Sequence, residues 1–232
     1  MVSIIAEVGV NWNGNFTLLE EMMQHAYDYG FDSVKLQAFN EDIVKDHPHK
    51  KRLLDCSVSP ENIQKIDSIA NNIGVDWFAT PMYDDAVLLL EPYVKKFKIR
   101  VSDGRTLFAD KTSSLIEKIL ETKKETFVSI EKPPPLSFVN NNQIRWLYCV
   151  SKYPCSLTDL DFTNLKLYDG FSNHCPNIAA PLKAFALGAS VIEIHVTSDK
   201  NIDFFDNNVS FDYAEQKMLL DLIRDYEQIS PQ

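Results

Sequence analysis

The chain has 232 residues, 45% of them hydrophobic and 24% charged, which is enough to bury one sizeable core. Its formal net charge of −10 argues against nucleic acid or an anionic membrane as a general partner, while a locally basic pocket for a small anion stays compatible with it. No stretch reaches the roughly 18 apolar residues of a membrane span, and the opening "MVSIIAEVGV" lacks the basic and apolar regions of a secretory signal.

Residues 3–8 read as a strand. Residues 16–29 read as a helix, because Leu18, Leu19, Met22, Met23 and Ala26 recur at helical spacing. Thr17 with Glu20 reads as its capping box and Gly30 as its stop. A strand at 33–37, a basic loop at 45–52 and a helix over 60–73 follow. Then come a strand at 76–80, a helix over 84–92, a strand at 95–100, a helix over 111–123 and a strand at 126–130. A polar loop at 137–143 leads to strands at 145–150 and 168–172, a helix over 176–187, a strand at 190–196 and a helix over 212–228. Repeated strand–helix units predict a parallel sheet with helices outside. About eight strands predict a (β/α)8 TIM barrel, a compact single domain over 1–232, with a doubly wound open sheet as the main alternative.

Cys56, Cys149, Cys155 and Cys175 form no C-x-x-C pair, and a chain this long needs no staples. They read as reduced thiols in a cytoplasmic protein. The glycine-rich loops of dinucleotide and nucleoside triphosphate sites are absent from the sequence, which counts against those ligands.

Side chains alternate faces along a strand. In "SVIEIHVT" (190–197), Ile192, Ile194 and Val196 share one face, and Glu193, His195 and Thr197 the other. The split recurs with Glu7, with Lys35 and Gln37, with Lys98 and Arg100, and with Cys149 and Ser151. Each charge alone is ordinary on an edge strand, and a lone strand histidine is most often a satisfied core residue. Repeated over several strands, such groups would be costly to bury unpaired. They make sense converging on the C-terminal mouth of a barrel, where active sites sit. "GFSNHCPN" (170–177) ends another strand with Ser172 and His174, which predicts His174 and His195 at the ends of neighbouring strands. Two imidazoles there suit a borderline divalent metal such as Mn or Zn, with Asp206 or Glu193 to complete the site and water or substrate in the open positions.

Taken together, these motifs resemble the sialic acid synthase family. "IIAEVGVNWNG" (4–14) is similar to the family's "IIAEIGxNHNG", with Trp12 in place of His. "GFDSVKLQ", "WFATPMYDDAVLLL", "FKI", "YCVSKYP", "GFSNHCPN" and "ALGASVIEIHVTSDK" follow in family order. The resemblance implies a barrel enzyme that condenses phosphoenolpyruvate with an N-acetylated sugar or related aldose to a nonulosonic acid, releasing phosphate. It implies a divalent metal, Mn2+ or Mg2+, on His174 and His195. It implies that Lys35, Lys98, Ser129, Ser151 and Ser172 hold the phosphate or carboxylate, and that Glu7, Gln37, Tyr153 and Asp206 line the reacting or sugar side. Glu7, Lys35, Lys98 and Asp206 are the expected catalytic groups.

The chain also departs from the family. The family's "SxGM" is here "SIEK" (129–132), which puts Glu131 near the mouth, and "GPDHxxS" is "FFDNNVS" (204–210), which keeps Asp206. The family's C-terminal antifreeze-like domain is expected to be missing, leaving open a homodimer or a partner that supplies it. A non-catalytic sugar- or phosphate-binding barrel, and a rewired barrel lyase or aldolase with Lys98 as Schiff base, are the alternative expectations.

Overall fold

A computed structural model describes residues 2–109, 112–138 and 140–229. The elements run β1 (Ser3–Gly9), α1 (Phe16–Tyr29), β2 (Ser33–Ala38), α2 (Glu41–Val44), α3 (Lys50–Asp55), α4 (Ile63–Ile73), β3 (Trp77–Pro81), α5 (Asp84–Leu90) and β4 (Lys96–Ile99). They continue with α6 (Val101–Gly104), α7 (Ser114–Glu121), β5 (Glu125–Ile130), β6 (Ile144–Cys149), β7 (Gly170–Asn173), α8 (Ala179–Ala186), β8 (Val191–His195) and α9 (Tyr213–Ile229). The strands close into a barrel in chain order, β1 to β8, every pair parallel. This is the expected (β/α)8 architecture, and it rules out the open sheet. Short 3-10 turns replace helices after β5 and β6.

The outward pleat of each strand and the inward stripe of each helix form the core. Leu19, Met22, Met23 and Ala26 of α1, and Ile63, Ile66, Ile69 and Ala70 of α4, are buried against the sheet. Each large one stabilises by about 1.5–3 kcal/mol. Inside the barrel, Phe78 of β3 and Phe127 of β5 pack at 5.7 Å, with the Lys96 ammonium 5.4 Å from the first ring and 6.0 Å from the second. They form an apolar layer among the lumen side chains. The three tryptophans are all buried. Trp12 lies in the loop after β1, its indole N–H donating to the Cys56 carbonyl at 3.1 Å. Trp77 and Trp146 sit in the first halves of β3 and β6.

Gly170 and Gly9 are two of the positions whose backbone calls for glycine. Gly170 lets β7 approach β8 so closely that an added Cβ would lie 2.0 Å from the Val191 carbonyl oxygen. Gly9 has φ +53°, a left-handed value that costs glycine little, where the β1–β2 register shifts between Glu7 and Gly9.

Three local expectations are corrected. The cap of α1 is Asn15, whose side chain accepts from the N–H groups of Thr17 and Leu18. Extended backbone at Asn15 puts the helix start one residue after it, so Thr17 lies inside the first turn and makes no capping box. The basic segment 45–52 is partly helical, since α3 begins at Lys50, where Arg52 reaches Asn13 and Asp203. The polar segment 137–143 begins within a 3-10 turn, Leu136–Phe138. Its residue 139, and residue 111 of the expected helix 111–123, lie outside the described residues. Among the described residues no helix is long and apolar enough to cross a membrane.

Candidate active site

The lumen pleat carries its charged layer just below the C-terminal mouth. Glu7 of β1 pairs in register with Lys35 of β2 and His195 of β8. The Lys35 ammonium lies 3.2 Å from Glu7 Oε2 and 3.4 Å from Glu193 Oε2. Lys98 Nζ lies 2.6 Å from Glu193 Oε1, which also accepts the Ser172 hydroxyl at 2.7 Å. Gln37 donates to Glu7 Oε1 at 2.8 Å. One carboxylate, Glu193 of β8, therefore ties two ammoniums, from β2 and β4.

Burial acts against every one of these charges. It would push the Glu193 carboxyl up, but Lys35 and Lys98 overcome it and hold the carboxyl well below the usual range. Burial would lower Lys35, but Glu193 and Glu7 raise it above the ordinary lysine value. For Lys98 burial wins over Glu193 and the pKa is lowered, helped by repulsion from Lys35. For Glu7 burial wins over Lys35 and the pKa is raised. The layer thus holds one firm carboxylate, one firm ammonium, and a carboxyl and an amine that each lie closer to neutrality.

At the rim, His174 follows β7 and His195 ends β8. His174 Nδ1 lies 2.7 Å from the Val150 carbonyl oxygen. A carbonyl only accepts, so Nδ1 carries the hydrogen and Nε2 presents its lone pair. Burial, with His195 beside it, lowers the His174 pKa to about 3. The Nε2 atoms of His174 and His195 converge on the Tyr153 hydroxyl, at 2.7 and 3.0 Å. Asp206 Oδ2 stands 3.5 Å from His195 Nδ1, on the far side of that ring. Burial would raise Asp206, and the neighbouring His195 holds it below the usual value instead. The Asp206 N–H donates to Asn11 Oδ1 at 3.1 Å, and Asn11 donates to the Val196 carbonyl and to Ser210. This fixes the long loop after β8 over the mouth.

Glu7, Lys35, Gln37, Lys98, Ser129, Ser151, Tyr153, Ser172, His174, His195 and Asp206, the residues singled out in the sequence, all line one cavity of about 520 Å³. The Ser129 hydroxyl is buried there with no hydrogen-bond partner among the described residues. Thr80 and Arg100 line the same cavity, and its other wall is apolar, with Val10, Phe39, Val44, Leu53 and Phe205. Glu193 is the counter-ion of two lysines, and Asp206 faces the His195 ring from its Nδ1 side. Among the described residues no group of three or more His, Cys, Asp or Glu could hold a metal ion. Arg105 was missed from the sequence. Its guanidinium donates to Glu131 Oε2 at 3.0 and 2.7 Å and to the Ser151 hydroxyl oxygen at 2.9 Å.

Residues 22–232 match the NeuB family. An uncharacterized protein of Methanocaldococcus jannaschii is 31% identical over 242 residues, covering 95% of this chain and 69% of its own length. An N,N'-diacetyllegionaminic acid synthase of Campylobacter jejuni is 30% identical over 250 residues, covering 95% and 75%. Among solved structures, an N-acetylneuraminic acid (sialic acid) synthetase from Leptospira borgpetersenii, in complex with citrate, superposes with a TM-score of 0.84 at 22% identity, covering 100% of this chain and 87% of that one.

Proposed function

The chain belongs to the NeuB family, and from that premise we propose that it condenses phosphoenolpyruvate with an aldose, an N-acetylated sugar or related one, to a nonulosonic acid with release of phosphate. The observation that carries the reading is one cavity that sets Lys35, Lys98, Ser129, Ser151 and Ser172 beside two convergent imidazole nitrogens. Phosphoenolpyruvate carries about three negative charges, which ammonium and hydroxyl donors suit. The unpartnered Ser129 hydroxyl is one such donor.

The residues also fit a divalent cation such as Mn2+ or Mg2+. His174 is neutral with its Nε2 lone pair aimed into the cavity, and the Val150 carbonyl fixes that tautomer as an outer partner of a metal ligand does. His174 and His195 would hold the ion, with water and substrate as its other ligands. When bound, it would polarise the aldehyde as a Lewis acid.

The chain's own residues carry the rest. Lys35 and Lys98 hold the phosphate or carboxylate and fix the enol carbon against the aldehyde. A C–C bond forms between C3 of phosphoenolpyruvate and the aldehyde carbon, whose oxygen takes one proton to become a hydroxyl, made good by the proton that water gives up on adding at C2. Positive charge develops at C2. Glu7, oriented by Gln37 and Lys35, would stabilise that charge or take the proton as water adds at C2. The C2–O bond to phosphate then breaks, and C2 becomes a carbonyl. Tyr153 and Asp206 position the sugar end. The four buried, unpaired cysteines accord with a cytoplasmic setting.

The test is calorimetric titration of phosphoenolpyruvate into Mn2+-loaded protein, repeated after chelation, followed by a phosphate-release assay across N-acetylated aldoses. Metal-dependent binding with phosphate release is the expected result. No binding by protein whose circular dichroism is intact would overturn the reading. The lowered pKa of Lys98 favours a second one, a Schiff-base lyase, though Glu193 at 2.6 Å holds a proton on that amine. Borohydride trapping of a carbonyl substrate on Lys98 would select it.

A further inference from the structure

Glu131 brings a carboxylate against Ser151, a lining residue of the cavity proposed above to take an anion. It is the first residue after β5, two positions beyond Ser129. Arg105 is the first residue after α6. The two are brought together by backbone contact, because at Gly104 an added Cβ would lie 2.8 Å from the Ser129 carbonyl oxygen and 3.2 Å from the Ile130 side chain. With no side chain at Gly104, the end of α6 rests on the end of β5, and Arg105 leaves that contact directly over Glu131.

The resulting unit is closed on itself. Arg105 Nε and Nη2 both donate to Glu131 Oε2. Ser151, which lines the cavity, donates its hydroxyl proton to Glu131 Oε1 and accepts from Arg105 Nη2 at 2.9 Å. A serine has one proton to give, so Ser151 points it at Glu131 while its oxygen is held by Arg105. Without Arg105 the unit would keep its negative charge and its serine and lose the cation that Glu131 is paired with among the described residues.

We propose that Arg105 is a positioning residue of the anion site, neutralising Glu131 and holding Ser151 so that a phosphate or carboxylate entering beside Ser129 meets no unbalanced carboxylate. The proposal rests on the reading of this cavity as an anion site given above. Arg105 acts through Glu131, so removing both charges should undo the loss caused by removing one.

The experiment compares wild type, Arg105→Ala, Glu131→Gln and Arg105→Ala/Glu131→Gln, with circular dichroism and thermal melts confirming the fold. The readouts are KM and kcat for phosphoenolpyruvate turnover, and Kd for inorganic phosphate by calorimetry. Arg105→Ala should raise KM and the phosphate Kd about 10-fold with kcat changed less than about 2-fold. Adding Glu131→Gln should restore both constants to within about 3-fold of wild type. A double variant as weak as Arg105→Ala would overturn the proposal and make Arg105 a direct anion contact. An Arg105→Ala variant indistinguishable from wild type would overturn it too. Wild-type protein that binds inorganic phosphate and not phosphoenolpyruvate would remove the substrate reading alone, with the pair then decided by the phosphate constants. Wild-type protein that binds neither would overturn both.

Discussion

Replacing Glu193 with glutamine keeps the shape of the side chain and removes the one carboxylate shared by Lys35 and Lys98. With an effective dielectric constant of about 20, Coulomb's law assigns roughly 6 kcal/mol to the 2.6 Å contact and roughly 5 kcal/mol to the 3.4 Å contact. Desolvation offsets most of that sum, and breaking a buried pair from one side costs about 3–5 kcal/mol. For a chain of this size each kcal/mol moves Tm by about 2–4 °C, so the expected fall is roughly 6–20 °C at pH 7. The fall should shrink as pH rises. The Lys98 pKa is already lowered in the folded state, and it drops further without its counter-ion. The unfolded chain then binds more protons than the folded one between that lowered value and about 10.4, so stability rises with pH across that window. Thermal melts of both proteins from pH 7 to 9.5 measure this. A Tm within 3 °C of wild type at pH 7, or a difference that does not narrow with pH, would refute the assignment of Glu193 as the clamp.

Gly170→Ala should cost more than about 3 kcal/mol in urea unfolding, because the new Cβ meets the β8 backbone at 2.0 Å; an unchanged midpoint would show that β7 and β8 can separate freely. His195→Ala should lose Mn2+ binding by calorimetry while keeping wild-type circular dichroism, and retained stoichiometric binding would remove His195 from the ion site. Lys35→Ala should raise KM or lower kcat for phosphoenolpyruvate at least 10-fold, and a null effect on both would take it out of the anion site. Burial pushes the Cys56 and Cys149 thiols up to about 12, so iodoacetamide at pH 7.5 should spare both in native protein and label all four cysteines once it is unfolded. Fast labelling of Cys149 in the native state would show that the cavity floor is wet and its thiol ionised.

The lumen was legible because a strand hides one pleat and presents the other. Glu7, Lys35, Lys98, Glu193 and His195 fall on the presented pleat by counting in twos, and only a closed barrel brings them to one place. What counting cannot supply is which lumen charges meet. Lys98 and Glu193 are 95 residues apart, and their pairing depends on barrel closure, so counting offered Glu193 as one candidate to complete a metal site and gave no sign of its two lysine partners. Arg105 and Glu131 are likewise joined through a bare glycine contact with no local pattern. Nearby errors have a different cause. Asn15 and Thr17 are both good caps, and the extended backbone at Asn15 decides between them. Lys50, Lys51 and Arg52 look like solvated loop, yet Arg52 is anchored by Asn13 and Asp203, which holds that turn of helix in place.

The distribution of the tryptophans gives the molecule its own optical reporters. Trp77 and Trp146 lie toward the end of the barrel remote from the cavity, and Trp12 lies in a loop at the cavity end, tied to the segment that carries Cys56. With Trp77 and Trp146 changed to phenylalanine, the emission of Trp12 would follow the cavity-side loops alone. With Trp12 changed instead, the signal would follow the base of the sheet. Rearrangement of the mouth and melting of the barrel would then be followed separately, one in each variant, without a dye.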